Sequence, residues 1–191
     1  MNVKNTVIKK LEEAFNSLKD NHLDLTINKD NDIGFISMEK KINTAVIGAT
    51  GYTGLDLVLM LSKHPKIKIV NLCATKNLGR KIDYFDKRIK KKLPKISSVT
   101  DIKWSKLDLV FLSLPNGEAQ KIISKRFSKN KKLKFIDLSA DFRITNFKIY
   151  EENYKIKHKA RTLVKESLYS IPELNEKKIN KYRIISNPGC Y

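Results

Sequence analysis

The feature that most constrains the fold is a glycine-rich turn between a buried strand and a helix. Residues 42–48, INTAVIG, are apolar enough for a buried strand, and the turn GATGYTG, residues 48–54, follows at once. Leucine and valine residues at helical spacing then predict a helix that ends before Pro65, and IKIVNLCAT, residues 67–75, predicts a second strand. A strand, a helix and a strand in this order form a βαβ unit with two parallel strands.

This turn predicts a binding site for the phosphates of a dinucleotide. Glycine lets the main chain turn sharply and approach a pyrophosphate, and the following helix N-terminus offers free N–H groups and the positive end of its dipole. The spacing is GxxGxxG rather than GxGxxG, so the prediction rests on the position of the turn between strand and helix. The residues predicted to contact the cofactor here are Gly48, Thr50, Gly51, Tyr52, Thr53 and Gly54.

The end of the second strand indicates which dinucleotide binds. An NAD site usually places Asp or Glu there to bind the ribose 2′-hydroxyl, but this chain has Thr75 and Lys76, followed by Arg80 and Lys81. A lysine and a hydroxyl attract a 2′-phosphate, which a carboxylate would repel. We therefore predict NADP(H) as the cofactor, with Thr75 and Lys76 at the 2′-phosphate. The alternative is that Lys76 is one of many surface lysines.

Further strands and helices alternate along the chain. Residues 107–115, LDLVFLSLP, and 133–139, LKFIDLS, predict strands, and the sequence between them predicts a crossover helix. This alternation predicts an α/β fold, a Rossmann-like doubly wound parallel sheet, as a dinucleotide-binding domain over residues 38–187. Ligands bind such sheets beyond the carboxyl ends of the strands. The residues predicted there as a wall for the nucleotide are Ser113, Leu114 and Pro115.

The loop DLSADFR, residues 137–143, follows the second of these strands and carries two charged residues. Asp141 and Arg143 either fix this loop by an ion pair with each other or line a pocket for an anionic substrate. The structural role is the preferred interpretation.

The sequence SNPGCY, residues 186–191, places a cysteine after a second turn. Pro188 and Gly189 predict a tight turn after a strand, so Cys190 is expected at the same edge of the sheet as the nicotinamide, at the start of a helix. The pKa of a thiol falls at a helix N-terminus, which makes Cys190 the predicted nucleophile. Cys73 is expected to pack as a small apolar residue.

A general acid or base is not evident, because each of the three histidines is predicted to be a surface residue: His22, His64 and His158. No metal is expected.

Charge and composition exclude other classes of protein. The net charge is +19, and its densest run is KRIKKKLPK, residues 87–95. No aromatic residues are interleaved through this run, so a solvated loop is preferred to a nucleic-acid contact. The sequence has no apolar run of eighteen residues and no secretory signal, which predicts a cytoplasmic protein without a membrane span. Residues 1–37 have the pattern of a helix and a strand, and two interpretations stay open: an appended segment of unknown role, or an over-extended start before Met38.

Five motifs together, GATGYTG, LSLPNG, DLSADFR, YSIPEL and SNPGCY, resemble the N-terminal part of the N-acetyl-γ-glutamyl-phosphate reductases of arginine biosynthesis, over residues 40–191. The resemblance implies NADPH-dependent reduction of N-acetyl-γ-glutamyl phosphate to N-acetylglutamate semialdehyde, with release of phosphate, through a thioester on Cys190. In LSLPNG many relatives have His in place of Asn116, which removes any proton-relay role there.

The resemblance also implies what lies outside this sequence. Residues 188–191 would begin a truncated catalytic domain, whose histidine and substrate site follow later in the family, so the chain is expected to be a fragment that is inactive alone. The implied partner is a small acyl phosphate, and the full-length enzyme is expected to be a homo-oligomer.

Two alternatives remain open at this point. One is a related acyl-phosphate reductase, of the aminoadipyl-phosphate or aspartate-semialdehyde type, because substrate choice resides mainly beyond Tyr191. The other is a non-catalytic nucleotide-binding or RNA-binding module that uses the basic surface.

Overall fold

The structure is a computed structural model that describes residues 40–171 and 178–189. The segment 1–37, expected to hold a helix and a strand, and the predicted nucleophile Cys190 lie outside these residues. The helices and strands are β1 (Ile42–Ile47), α1 (Tyr52–Lys63), β2 (Ile67–Cys73), β3 (Ile96–Ser97), β4 (Leu109–Leu112), α2 (Glu118–Arg126), β5 (Lys134–Asp137), α3 (Phe147–Tyr154), β6 (Ser167–Tyr169) and β7 (Ile184–Ser186).

The strands in the described part of the chain form one sheet, in which every neighbouring pair is parallel. Their order is β3-β2-β1-β4-β5-β7-β6. The chain builds outward from β1 to β3, crosses back to add β4 and β5 on the other side of β1, and then forms the edge strand β6 before β7 inserts between β5 and β6. The predicted doubly wound parallel sheet is confirmed. Its switch point lies between β1 and β4, which is where such sheets bind ligands.

Helices cover both faces of the sheet, so its central strands are buried on both sides. Val46 and Phe111 belong to one core cluster together with Leu61 of α1, whereas Val110 belongs to a second cluster with Ile123 of α2. All four residues of β4 are buried. This explains why the central strands appear in the sequence as continuous apolar runs rather than as alternating ones.

Three elements of the structure were not predicted from the sequence. Strand β3 has two residues and β6 has three, with Ser167 and Leu168 half-buried and Tyr169 exposed, so neither has an apolar run that would identify it. Helix α3 begins at a side-chain cap, where Asn146 Oδ1 accepts hydrogen bonds from the main-chain N–H groups of Lys148 (3.0 Å) and Ile149 (3.3 Å). These elements form because the neighbouring strands and loops hold them.

The basic run at residues 87–95 lies at the surface, as preferred in the sequence analysis. Its lysines are exposed, and Ile89, which is 1% exposed, fixes the loop to the core. Arg88 makes ion pairs with Asp86 and Asp56, both at 2.7 Å. Among the described residues, no helix has the length and apolar character needed to cross a membrane.

Candidate functional site

The glycine turn after β1 packs its main chain directly against the end of β4. Gly48 has a φ of +86°, and a Cβ at this position would lie 1.9 Å from the carbonyl oxygen of Ser113. The N–H groups of Gly48 and Ala49 both donate to the carbonyl oxygen of Cys73, at 2.9 and 3.0 Å. Only glycine satisfies both the positive φ and the close approach at position 48.

The other two glycines of the motif have different roles. A Cβ at Gly54 would lie 2.0 Å from the carbonyl oxygen of Gly48, so this glycine lets helix α1 pack against the turn. Gly51 has an ordinary φ of −74°, and the nearest atom to a Cβ there would be 3.6 Å away. Gly51 is exposed, so it borders open space in front of the helix.

That open space is a cleft of about 270 Å³ at the switch point of the sheet. It is lined by Gly51, Tyr52, Thr53, Ser113, Leu114 and Leu138. The structure thus brings together the start of α1 and the end of β4, as the sequence analysis expected. Within the described chain, no side chain caps the N-terminus of α1 and its first turn has no acidic residue, which leaves this helix end suited to an anion.

The remaining predicted cofactor residues lie around this cleft without lining it. Thr75 and Lys76 are exposed directly after β2, which is parallel to β1, so they share its edge of the sheet. Thr50 is half-buried within the turn. Pro115 is exposed, and its carbonyl oxygen accepts a hydrogen bond from the N–H of Glu118 (3.2 Å), at the start of α2.

These residues fit a phosphorylated dinucleotide. The glycine main chain provides the close approach that a pyrophosphate needs, and the uncapped helix end provides donors. Beyond the end of β2, the exposed residues Thr75 and Lys76 carry a hydroxyl and a positive charge rather than a carboxylate, which suits a 2′-phosphate.

Asp141 is a buried structural residue rather than one partner of an ion pair. It is 0% exposed and accepts hydrogen bonds from the N–H groups of Gly117 (2.7 Å) and Gln120 (3.0 Å) and from the hydroxyl of Tyr150 (2.7 Å). It therefore caps the start of α2 from a distant loop. Burial and this carboxylate raise the pKa of Tyr150. The suggested ion pair with Arg143 is wrong, because Arg143 donates to main-chain carbonyls instead.

The prediction that His158 lies on the surface is also wrong. His158 is 4% exposed, its Nε2 lies 2.6 Å from the carbonyl oxygen of Asp141, and its Nδ1 accepts a hydrogen bond from the N–H of Ala160 (3.2 Å). Nε2 therefore donates, and the ring is the neutral tautomer with the proton on Nε2. Aromatic rings cover it from three sides: Phe142, Phe147 and Tyr150. The basic residues around His158 in sequence gave no indication of this.

Of the other two histidines, the structure describes His64 but not His22. His64 is half-buried at the end of α1, and its Nδ1 accepts a hydrogen bond from the N–H of Lys66 (3.2 Å). It therefore stabilises the turn into β2. His22 lies outside the described residues.

The structure tests the prediction for Cys73 but not that for Cys190. Cys73 is 0% exposed at the last position of β2, and its Sγ lies 3.7 Å from both Ser97 Oγ and the carbonyl oxygen of Ser98. Burial raises the pKa of its thiol, and the prediction that Cys73 packs as a small apolar residue is confirmed. Cys190 lies outside the described residues, and Gly189 is the last residue described before it.

The turn that leads to Cys190 lies at the same edge of the sheet as the glycine turn. Strand β7 is parallel to β5, β5 to β4, and β4 to β1. Three strand spacings of about 4.8 Å separate β1 from β7, or roughly 14 Å along this edge. A bound dinucleotide is long enough to extend from one turn toward the other.

Asp137 is a site residue that the sequence analysis did not single out. It ends β5, is 0% exposed, and its Oδ1 accepts hydrogen bonds from the N–H (2.9 Å) and the hydroxyl (2.7 Å) of Ser139. Its Oδ2 has no hydrogen-bond partner among the described residues, and burial raises the pKa of this carboxyl to about 7. The signal in the sequence is an acidic residue inside the apolar run LKFIDLS.

A family model described as "Semialdehyde dehydrogenase, NAD binding domain" matches residues 43–182. The chain belongs to this family. The matched range includes the glycine turn, the end of β4 and the loop with Asp141, so the predicted dinucleotide-binding fold and the use of an NAD(P) cofactor are confirmed.

The curated relatives are named N-acetyl-γ-glutamyl-phosphate reductases, which confirms the resemblance found in the motifs. The protein from Afipia carboxidovorans is 38% identical over 157 residues, covering 81% of this chain and 45% of its own length. A probable chloroplastic reductase from Arabidopsis thaliana is 39% identical, with 82% of this chain and 38% of its own length covered. The chain therefore spans less than half the length of the curated relatives that it matches.

Solved structures support the fold alone. The chain is similar to aspartate semialdehyde dehydrogenase II from Vibrio cholerae, both with and without ASA, with TM-scores of 0.53 and 0.54 and 18% sequence identity. Both matches cover 78% of this chain and 38% of the solved chain.

Proposed function

We propose that this chain provides the cofactor-binding part and the nucleophile of an NADPH-dependent N-acetyl-γ-glutamyl-phosphate reductase. The observation that carries the proposal is the contact of Gly48 with the main chain of Ser113, next to a cleft in front of an uncapped helix. Relatives with that name at 38% and 39% identity support the choice of substrate over the aspartate-semialdehyde type, to which the solved structures are only 18% identical.

The proposal assigns residues to each part of the cofactor. Main-chain N–H groups at the start of α1 would bind the pyrophosphate, and Thr75 with Lys76 would bind the 2′-phosphate of NADPH. Residues 113–115 would form the wall beside the nicotinamide. NADPH, when bound, supplies a hydride to the substrate carbon. The cofactor domain is placed at residues 38–187, and residues 188–191 begin the catalytic part.

Cys190 is proposed as the nucleophile. Its thiolate attacks the acyl carbon of N-acetyl-γ-glutamyl phosphate, a C–S bond forms, and the C–O bond to the phosphate group breaks, so phosphate leaves with that bonding pair. Addition of a hydride to the resulting thioester carbon gives a thiohemiacetal oxyanion, which collapses to the aldehyde and returns the electron pair to sulfur. Main-chain N–H groups at the turn, including that of Cys190, would stabilise the oxyanion.

Proton transfer is not assigned to His158. Its ring is buried and its Nε2 bonds to the carbonyl oxygen of Asp141, so it cannot reach a substrate at the sheet edge. The proposal further includes a cytoplasmic enzyme with a homo-oligomeric full-length form, both carried over from the sequence analysis.

Cofactor binding tests the first part of the proposal. Titration of the 191-residue chain with NADPH and with NADH, followed by nucleotide fluorescence, should show tighter binding of NADPH. Gly51→Glu should abolish binding of both nucleotides while the melting temperature stays close to that of the parent chain, because a side chain fits at this position and its carboxylate repels phosphate. Equal NADPH binding by Gly51→Glu and the parent chain would contradict the proposed cofactor site.

Acyl transfer tests the second part. The chain is incubated with N-acetyl-γ-glutamyl phosphate, and mass spectrometry searches for an N-acetylglutamyl adduct on Cys190 together with released phosphate. Cys190→Ser should give no thioester. Slow adduct formation with little NADPH oxidation is expected, because the chain spans less than half the length of its relatives. An adduct on Cys73 rather than Cys190 would refute the assignment of the nucleophile.

A further inference from the structure

A second cleft lies at the opposite end of helix α1 from the cofactor cleft. It has a volume of about 380 Å³, and its lining comes from the end of α1, the start of β2, the residue before β1 and the basic run at residues 87–95. Helix α1 has twelve residues, so roughly 18 Å separates its two ends. The second cleft therefore lies at the amino edge of the sheet, away from the dinucleotide turn at the carboxyl edge.

The lining of this cleft combines apolar side chains with four lysines. Three of the apolar residues belong to the core and the fourth is half-buried: Leu61, Ile67, Ile69 and Leu93. The lysines are exposed, and we call the site the lysine cleft after them: Lys41, Lys68, Lys91 and Lys92. None of the residues described around the cleft carries a carboxyl group. Positive charge beside apolar surface is the complement of an anion with an apolar body.

The basic run is fixed against α1 on one side of this cleft. Ile89 is 1% exposed, which anchors the run in the core. Arg88 forms an ion pair with Asp56 of α1 (2.7 Å). Lys91 Nζ donates a hydrogen bond to the carbonyl oxygen of Ser62 (3.0 Å), in the last turn of α1. These contacts order the main chain of the run in advance, so a ligand would bind without first having to order a loop.

The charges of the lysine cleft differ from others on the surface. Arg88 and Lys121 form ion pairs with carboxylates, whereas none of the ion pairs described for the chain includes a lysine of this cleft. Like charges gathered around one cleft repel each other and oppose the compact state. An anion bound among them is attracted to each lysine and also reduces this repulsion. The arrangement therefore favours a ligand with more than one negative charge.

The size and composition of the cleft decide between classes of anion. No aromatic side chain is among the residues described around it, so the bases of a nucleic acid would have no ring to stack on. A stable contact with a partner protein buries about 800 Å² on each side, which is far more than a cleft of this size provides. A volume of about 380 Å³ is within the range of small-molecule sites.

We propose that the lysine cleft binds a small organic dianion, with a phosphate group at one end and an apolar chain or ring at the other. The phosphate lies among the four lysines, and the apolar end packs against Leu93 and Ile69. The site is separate from the dinucleotide cleft. It does not depend on the proposed function, because its residues belong to the other end of α1.

Isothermal titration calorimetry of the 191-residue chain with hexyl phosphate tests the proposal. Hexyl phosphate should bind with one site per chain and at least tenfold more tightly than inorganic phosphate, because burial of about two methylene groups already accounts for a factor of ten. Hexanol, which has the same chain without the charge, should give no measurable binding. Equal affinities for hexyl phosphate and inorganic phosphate would contradict an apolar subsite and overturn the proposal.

Two double variants separate a site from attraction to the overall charge. Lys68→Gln combined with Lys92→Gln should weaken binding of hexyl phosphate tenfold or more. Lys125→Gln combined with Lys129→Gln is the matched control, since it removes the same charge from exposed positions at and beyond the end of α2. The control should change the affinity by less than about twofold. Equal weakening in both double variants would show that the phosphate responds only to net charge, and no lysine cleft site would remain.

Competition experiments decide whether another occupant fits better. NADPH should not displace hexyl phosphate, and displacement would place the anion in the cofactor cleft and refute the proposal. A glutamate-rich peptide and a single-stranded RNA are titrated in the same way. If either binds more tightly than hexyl phosphate and is weakened by the Lys68→Gln and Lys92→Gln pair, the partner is a macromolecule and the proposal of a small anion is wrong. Loss of NADPH binding in Gly51→Glu should leave the binding of hexyl phosphate unchanged.

Discussion

Two turns at the same edge of the sheet are held in different ways. The turn after β1 is held by main chain alone: Gly48 meets the carbonyl of Ser113, and two N–H groups donate to the carbonyl oxygen of Cys73. The turn after β7 is held by a side chain, since Arg143 bonds to the carbonyl of Asn187 and lies against Gly189. Both turns need glycine, for different reasons. A side chain at position 48 would clash with main chain, and a side chain at position 189 would clash with the guanidinium group of Arg143.

The difference predicts how each turn responds to substitution. Main chain at the centre of a sheet cannot move without breaking neighbouring hydrogen bonds. It therefore cannot shift to make room for a side chain at position 48. A guanidinium group can rotate away at the cost of its own hydrogen bonds. The turn after β1 is therefore held rigidly by main-chain contacts, whereas the turn after β7, residues 187–189, depends on the side chain of Arg143.

The largest expected effect is at the first turn. Gly48→Ala should lower the free energy of unfolding by about 4 kcal/mol or more, because strain from the positive φ adds to a main-chain clash. The matched control is Gly79→Ala, which has a φ of +80° with no atom within 4 Å of the new Cβ, and should cost only about 1 to 2 kcal/mol. Urea denaturation measures both. Equal losses would mean that the contact with Ser113 is not what fixes this turn.

The second effect is at Asp137, which supports the other turn. Its folded pKa of about 7 lies above the unfolded value near 4, so the folded state binds the extra proton and stability falls as pH rises between these values. From pH 5 to pH 8 the parent chain should lose about 3 kcal/mol relative to Asp137→Asn. Urea midpoints at the two pH values measure this loss.

The control for this pH dependence is Asp83→Asn, which changes an exposed carboxyl. It should leave the pH dependence of the parent chain unaltered. Parallel stability curves for the parent chain and Asp137→Asn would show that Asp137 is not protonated in the folded state.

The third largest effect is expected on the binding of NADPH beside the turn after β1. Lys76→Glu should weaken NADPH binding tenfold or more, because it replaces an attraction to the 2′-phosphate by a repulsion, and should change NADH binding less. Lys68→Glu is the control, since Lys68 is an exposed residue near the start of β2, whereas Lys76 follows the end of this strand. Titration with both nucleotides measures the ratio of the dissociation constants for NADPH and NADH. If the ratio is unaltered in Lys76→Glu, the 2′-phosphate lies elsewhere.

The smallest expected effect is at the turn after β7, and it tests whether Arg143 limits the space at position 189. Gly189→Ala should cost about 1 kcal/mol of stability in the parent chain and close to nothing in an Arg143→Ala background. A double-mutant cycle by urea denaturation gives the coupling between the two residues. Additive losses would mean that the guanidinium does not limit position 189.

The elements of the sheet differ in how far the sequence predicts them. Strand β1, helix α1 and strand β2 were predicted nearly to their ends, because a continuous apolar strand, a glycine turn and a helical repeat are local patterns. The short strands β3 and β6 have no such pattern and form only because neighbouring strands offer hydrogen bonds to them.

Several side chains had tertiary roles that their neighbours in sequence do not indicate. His158 was expected at the surface, yet three aromatic rings bury it. Asp141 and Arg143 are two residues apart and of opposite charge, yet Asp141 bonds to α2 and α3 while Arg143 bonds to the turn after β7. Contacts between distant parts of the chain decided these roles.

The sequence by itself determined the parallel α/β fold, the dinucleotide turn and the family, because these depend on the order of short apolar segments and on glycines at fixed places. Only the tertiary structure decided the distant partners of Asp141, Arg143 and His158. Their longest hydrogen bonds join residues that are 24, 44 and 17 positions apart along the chain. The physical reason is that a buried polar group bonds to whichever group the fold places within reach, and composition and spacing do not specify that neighbour.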